Sequence, residues 1–371
     1  MIDFKAKANL IWQVADLLRG DYKQSDYGKV ILPLTVLRRL DCVLKPTKEK
    51  VLDYLLKIQK KSDSTKDLIL NNIAGHNFHN RSKFDFEKLK NEPDKVAANL
   101  RNYINGYSTS AREIIEYFSF DDQIDRMDDP KADILFQIVK KFAEIDLSDM
   151  DSMEMGYVFE ELIRRFSEQS NETAGEHFTP REVIKLMVNV LFIADNEALT
   201  KEGIVKTLYD PACGTGGMLS VAEKHLNGFN KKAKLEVFGQ EINPESYAIC
   251  KSDMLIKGQN PSNIKFGNTF TVDGLENERF DYMLSNPPFG VDWKKAEKII
   301  KAEYENKGYS GRFGAGLPRI NDGSLLFLQH MISKMKKDGS RIGIVFNGSP
   351  LFTGQANSGE SNIRQWIIEN D

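Results

Sequence analysis

Two short stretches hold residue types that could do chemistry, "DPACGTGG" (Asp210–Gly217) and "SNPPFG" (Ser285–Gly290), and Glu241 lies between them in "VFGQEINPES". In the second, the apolar run "FDYML" must stop, because proline has no N–H and cannot continue a central ladder. The rings of Pro287 and Pro288 stiffen whatever Asn286 and Phe289 hold, which makes a rigid mount at a strand's carboxyl end. In the first, Gly214, Gly216 and Gly217 let the backbone approach a ligand closely and take positive φ. Asp210, just past an apolar run, can accept hydrogen bonds from a positively charged group. The spacing is neither G-x-G-x-x-G nor a Gly-Lys-Ser/Thr loop, so dinucleotide and nucleoside-triphosphate fingerprints are absent. Glu241 ends the next apolar run, where an acid can hold ribose hydroxyls. These features suit an adenosine ligand with an ammonium group, such as S-adenosylmethionine. For the glycines alone, an ordinary tight strand–helix turn is the competing reading.

Such loops need a sheet to carry them. From Ile204 onward, "IVKTLYD", "LEVFGQE", "NIKF", "FDYMLSN" and "RIGIVFN" read as strands, separated by helical "GGMLSVAEKHL", "PESYAICKSDMLI" and "DGSLLFLQHMISKMKK". Strand–helix alternation predicts a mostly parallel sheet covered on both faces, with ligands beyond the strands' carboxyl ends. Up to Asp149 the pattern is helical instead, with "FKAKANLIWQVADLLRG" as one amphipathic helix and "SDSTKD" and "HNFHNRSK" as connectors. The next helix, in "SDMDSMEMGYVFEELIRRFSEQS", takes Ser148 as its N-cap. "PREVIKLMVNVLF" follows a polar loop, with proline in its first turn. Residues 290–322 form an insertion rich in Gly, Lys and Arg, which reads as a solvated loop, a DNA contact or a mobile lid.

With 371 residues the chain predicts two domains. The hydrophobic fraction of 41% and charged fraction of 28% are those of an ordinary globular protein. No apolar run approaches the roughly 18–20 residues that span a bilayer, and the amino terminus lacks a signal-peptide pattern, so the cytoplasm is the expected compartment. Three scattered cysteines make neither a disulfide framework nor a zinc site. A formal net charge of −3 excludes nucleic-acid binding through the overall field, leaving a local patch or a partner's help.

With "DPACGTGG" and "SNPPFG" in this order, the chain resembles the amino-group DNA methyltransferases, whose signature (D/N/S)-P-P-(Y/F) matches Asn286-Pro287-Pro288-Phe289. "AGEHFTPREV" upstream resembles a further motif of that family, and the order of the three resembles the gamma arrangement of adenine-N6 enzymes. The helical amino terminus and "LLFLQHMI" make the resemblance narrower, to the modification subunit of a type I restriction–modification system. The implied fold is α/β, a Rossmann-like S-adenosylmethionine-dependent methyltransferase sheet preceded by an all-α N-terminal domain. The division falls at 1–149, for assembly or DNA contact, and 150–371, for catalysis. Family members continue past the point matching Asp371 with further strands and a tail, so the chain reads as truncated there.

The resemblance implies methyl transfer from S-adenosylmethionine to adenine N6. Asn286, Pro287, Pro288 and Phe289 would be catalytic. Asp210, Pro211, Gly214, Thr215, Gly216, Glu241 and Asn268 would contact the cofactor, and Phe178, Thr179 and Pro180 would close the pocket over it. At Asn268 the family usually has aspartate; an asparagine can still accept from the adenine amine through its carbonyl oxygen. No metal is implied. The implied partners are DNA with a flipped adenine, a specificity subunit that reads the sequence, a second modification subunit and, in the full complex, a restriction subunit. N-P-P-(Y/F) also occurs in methyltransferases of release-factor glutamines and of ribosomal RNA guanine, though those smaller enzymes lack the helical region with "AGEHFTP". A non-catalytic assembly subunit that has kept the fold is the third reading.

Overall fold

Apolar residues recurring every three to four positions fold the amino-terminal part into helices in a computed structural model, which describes residues 4–129, 133–170, 179–193, 195, 199–346, 348 and 350–370. They are α1 (Phe4–Trp12), α2 (Val14–Leu18), α3 (Gly28–Leu44), α4 (Lys48–Lys57), α5 (Asp63–Ala74), α6 (Phe86–Leu89), α7 (Val96–Asn105), α8 (Thr109–Glu116), α9 (Phe120–Met127), α10 (Ile134–Ala143) and α11 (Ser152–Ser170). The single helix expected at the start is broken at Gln13 into α1 and α2; of its apolar stripe Ala8, Ile11, Val14, Ala15 and Leu18 are buried and Trp12 is half-buried. "SDSTKD" begins α5 rather than a connector, because the Ser62 hydroxyl accepts from the Thr65 N–H and caps it.

The spine of this unit is α3, buried along most of its length. Its adjacent arginines are spent inside the fold. Arg38 donates to the carbonyls of Ala143 (3.2 Å) and Ile145 (2.7 Å), and Arg39 to those of Leu147 and Met150 (2.6 Å), so they satisfy the backbone where α10 ends. The cap of α11 is Asp151, not Ser148. Asp151 Oδ1 accepts from the Glu154 N–H and Glu154 Oε2 from the Asp151 N–H, both at 2.8 Å, and this reciprocal box satisfies two donors where a serine would satisfy one.

Further along lie α12 (Arg181–Ile193), β1 (Val205–Asp210), α13 (Gly217–Phe229), β2 (Lys234–Glu241), α14 (Pro244–Lys257), β3 (Ile264–Phe266), β4 (Tyr282–Ser285), α15 (Glu297–Lys307), α16 (Ser324–Ser333), β5 (Arg341–Ile344) and α17 (Gly359–Glu369). All five expected strands form. They pair in parallel in the order β3-β2-β1-β4-β5, so every carboxyl end falls on one edge. Period-two alternation sorts the side chains: Tyr282 meets Phe192 of α12, while Tyr209 and Met283 pack with Met331 of α16. The chain divides by contacts into residues 1–174 with 244–262, and 175–243 with 263–371, so α11 and α14 group with the helical unit and the boundary expected at 149/150 falls inside it.

Residues 290–322 are built rather than loose. Trp293, Ala296, Ile300 and Phe313 are buried in one cluster with Phe270, Leu326 and Phe327. The Trp293 indole donates to the Arg319 carbonyl at 3.0 Å. The Gly, Lys and Arg content disguised these buried apolar positions among charged ones. Among the described residues no helix is long and apolar enough to cross a membrane, and no His, Cys, Asp and Glu group could hold a metal.

Candidate active site

The carboxyl ends of β1, β2 and β4 bring the two chemical stretches together. Because β1 lies between β2 and β4, Asp210 and Ser285 come from the two sides of the switch point, where open α/β sheets form their ligand crevice. The Ser285 hydroxyl donates to Asp210 Oδ1 at 2.8 Å, and the Ala212 N–H donates to the same oxygen at 3.0 Å. Among the described residues Oδ2 accepts nothing, and no lysine or arginine reaches either oxygen, although the residue is only 2% exposed. Burial pushes the Asp210 pKa up to about 7, the two hydrogen bonds oppose that, and the charge of Glu241 adds to it. A buried acid with no counter-charge is where a cationic ligand group is most strongly rewarded.

The glycine loop turns tightly between Asp210 and α13. Gly214 and Gly216 take φ of +54° and +86°, and nothing lies within 4 Å of where a Gly214 Cβ would stand. The loop is anchored from β2. The Cys213 N–H donates to the Gln240 carbonyl at 3.0 Å, and the Gly214 N–H to Glu241 Oε2 at 2.8 Å. Glu241 Oε1 accepts from the N–H groups of Ile242 (2.9 Å) and Asn243 (2.7 Å). Glu241 therefore shapes the loop with three backbone bonds, and its pKa is raised by burial against them. Two carboxylate oxygens offer about four acceptor positions, so capacity for a ribose hydroxyl remains at Oε2. Pro211 is buried and its carbonyl accepts from the Thr269 hydroxyl at 2.6 Å; Thr215 is half-buried.

The loop after β3 holds Asn268, whose Oδ1 accepts from the Phe270 N–H at 2.9 Å in a local turn. The oxygen expected to meet an adenine amine thus already carries one bond. Gln240, fully buried, fixes the same loop through the carbonyls of Gly267 (3.1 Å) and Val272 (2.6 Å) and the N–H of Gly274 (3.2 Å).

In the proline stretch Pro287 is buried, and Asn286, Pro288 and Phe289 are half-buried. Asn286 Nδ2 donates to Thr179 Oγ1 at 2.7 Å, so the amide is oriented from its nitrogen end. Thr179 and Pro180 stand just ahead of α12, Pro180 exposed; Phe178 lies outside the described residues. Ser285, Gln240 and Thr269 were not singled out in sequence. Each adjoins a chosen residue (Asn286, Glu241 and Asn268 respectively), and that adjacency was the only signal available.

The family matches fall in two segments. The amino-terminal helices, residues 7–142, match the model of the HsdM N-terminal domain, and residues 150–371 match that of N-6 DNA methylase. A curated relative, the type I restriction enzyme MjaIX methylase subunit of Methanocaldococcus jannaschii, is 25% identical over 98% of this chain and 64% of its own length. The EcoEI methylase subunit of Escherichia coli is 27% identical over 70% of this chain and 49% of its own. The chain thus spans less than two thirds of the length of either. The solved methyltransferase subunit of a type I restriction-modification system from Streptococcus thermophilus has the same fold, with a TM-score of 0.72 and 22% identity over 99% of this chain and 79% of that one. A glycine loop and an Asn-Pro-Pro-Phe mount at adjacent strand ends, in a region matched from 150 to 371, lead to one assignment: the chain belongs to the N-6 DNA methylase family.

Proposed function

We propose that the chain transfers a methyl group from S-adenosylmethionine to adenine N6 in DNA, as the modification subunit of a type I restriction–modification complex. The observation that carries this reading is the oriented amide of Asn286, next to Asp210, a buried acid with no cation beside it among the described residues. Asp210 Oδ2 would accept the ammonium of the cofactor. Glu241 Oε2 would accept a ribose hydroxyl, and the loop from Asn268 would meet the adenine. Bound there, the cofactor supplies an electrophilic methyl on a sulfonium.

The exocyclic amine of adenine is a poor nucleophile because its lone pair is delocalised into the ring. Asn286 Oδ1 and the Pro287 carbonyl would each accept one N–H, which favours a tetrahedral nitrogen with its lone pair aimed at the methyl. Two fixed dipoles, preset by the proline rings and by Thr179, need no reorganisation as charge develops on the amine. Phe289, half-buried, would stack on a base flipped out of the duplex. The relatives are named as methylase subunits of type I restriction enzymes, which supports a separate specificity subunit, a second modification subunit and a restriction subunit as partners.

The test is transfer of labelled methyl to DNA by a full-length version of the chain with its specificity subunit, beside Asn286→Ala. Label on adenine N6 that falls by at least ~100-fold in the variant is the expected outcome, the scale of losing one preset donor or acceptor. Label on protein or RNA instead would overturn the substrate, and absence of cofactor binding would leave an assembly role.

A further inference from the structure

Arg312 sits in the insertion, yet its guanidinium reaches the loop that follows β3. Nη1 donates to the Thr269 carbonyl at 2.8 Å and Nη2 to the Phe270 carbonyl at 3.0 Å. Glu303 of α15 holds the guanidinium from the other side, at 3.1 Å to Nε and 2.7 Å to Nη2, and also accepts from the Arg312 N–H at 2.8 Å. Nη1 lies 3.4 Å from His330 Nδ1, and arginine has nothing to accept with, so the imidazole keeps its proton on Nε2 and donates it to the Tyr209 hydroxyl at 2.9 Å. His330 is fully buried; burial, then the charges of Arg312 and Lys334, hold its pKa well below the usual value and the ring neutral. A second tie is apolar. Phe270, two residues from Asn268, lies 4.5 Å from Phe327 between ring centroids and belongs to the buried cluster of the insertion with Trp293 and Phe313.

We infer that residues 290–322 buttress the cofactor site and that Arg312 is a positioning residue for its adenine-side wall. Two consecutive carbonyls of the wall loop end on one rigid fork, and that fork is itself fixed by a carboxylate and a neutral imidazole. A planar guanidinium can span both carbonyls at once, which a lysine ammonium cannot. The loop that also gives Thr269 to the Pro211 carbonyl is thereby held against the glycine loop. The insertion acts on cofactor recognition rather than as a free arm or a mobile lid. This rests on the cofactor reading proposed above.

The experiment measures equilibrium binding of S-adenosylhomocysteine, and of its 6-oxo counterpart with hypoxanthine in place of adenine, to the whole chain. The proteins are wild type, Arg312→Ala, Arg312→Lys and Glu303→Gln, with amide exchange of β1 and β4 followed in each. Arg312→Ala is expected to weaken S-adenosylhomocysteine about tenfold or more and to bring the preference for adenine over hypoxanthine down to about twofold or less, because a loosened wall no longer presents fixed partners to the 6-amino group. Arg312→Lys recovers part of that preference, and Glu303→Gln loses about threefold in affinity and part of the preference while the sheet keeps its protection. An unchanged preference in a folded Arg312 or Glu303 variant overturns the inference and leaves the cofactor reading standing. An affinity loss equal for the two ligands, with protection lost across the sheet, makes Arg312 a stabilising residue only and overturns it too. No binding of S-adenosylhomocysteine by the wild type overturns the cofactor reading, and the inference with it.

Discussion

Asp41 in α3 and Asp210 at the end of β1 are both buried carboxylates, but they are held by opposite means. Asp41 has Arg38 at 2.7 Å on one oxygen and the Tyr103 hydroxyl at 3.0 Å on the other. Burial pushes its pKa up, and Arg38 and Tyr103 pull against that. Asp210 has a hydroxyl and a backbone N–H on one oxygen, and among the described residues no cation. Arg38 goes on to bind carbonyls at and just past the end of α10, so the first carboxylate belongs to a closed network that fixes helices. The second is an open account of charge that a ligand can close. Burial alone therefore does not mark a site; the missing partner does.

The comparison breaks first if Arg38 is dispensable. Arg38→Met leaves Asp41 buried beside a neutral side chain and frees two carbonyls, so the helical unit should lose about 3–5 kcal/mol. Urea denaturation read through amide exchange in α3 and α10 measures this. A loss under about 1 kcal/mol would mean that Asp41 needs no counter-charge, and the contrast with Asp210 would carry no information.

Asp210→Asn should do the reverse. The folded-state pKa of about 7 lies above the ordinary 3.8, so the unliganded fold keeps a proton that the unfolded chain has already released. The contribution of Asp210 to stability is then fully present below the unfolded value and is lost as pH rises through the folded one. By linkage that loss is up to about 4 kcal/mol between the two values. The asparagine variant lacks this fall, so it should be more stable than wild type above the upper value and yet bind no S-adenosylhomocysteine. In the wild type, cofactor affinity should climb by up to about tenfold per pH unit below the Asp210 value and level off above it, with about one proton released per ligand at the low end. Calorimetry in two buffers of different ionisation enthalpy counts that proton. A flat affinity profile would remove Asp210 from the ammonium.

What could be read in sequence follows from how local each cause is. Five strands and their order of appearance were legible because short apolar runs between helices leave few alternatives. The placement of Asp210, Gly214 and Asn286 at or just past strand ends was legible because glycine and proline punctuate the chain there. Ser285 escaped as a partner of Asp210, since a contact between strands leaves no mark in local periodicity. Glu241 was expected to face ribose; that it also accepts three bonds from nearby backbone is something side-chain type cannot reveal. The cap at Asp151 was masked by a serine three residues earlier that fits the same rule. The pattern of "PESYAICKSDMLI" announces a helix, but not that its contacts group it with the helical unit. Arg312 was hidden by its setting, for a buried fork and an exposed one read alike in a segment rich in charge.

Gly239→Ala sharpens the contrast by moving the loop without touching a charge. A Cβ there would stand 2.8 Å from Cys213 Sγ and 3.2 Å from Ile264 Cδ1, so the loop or β3 must shift. Overpacking of this kind costs about 1–3 kcal/mol. Cys213→Ala in the same chain removes the nearer atom and should restore part of the loss. If Gly239→Ala also weakens S-adenosylhomocysteine, the openness of Asp210 depends on where β2 anchors the glycine loop. If stability falls and affinity does not, the acid and the loop act independently.

The smallest effect expected is at Ser285. Its hydroxyl donates to the ionised Asp210 more strongly than to the protonated acid, so it lowers a pKa that burial has raised. Ser285→Ala should then move the acid further up, by an amount worth about 1 kcal/mol, the scale of one hydrogen bond to a charged group at its weak end. The midpoint of the affinity profile should shift to higher pH, with several-fold weaker S-adenosylhomocysteine binding near neutrality and convergence on the wild type in more alkaline buffer. A loss of equal size at every pH would mean that the serine touches the ligand itself. No shift at all would mean that the Ala212 N–H suffices to hold Asp210, and that β4 contributes to the site only from Asn286 onward.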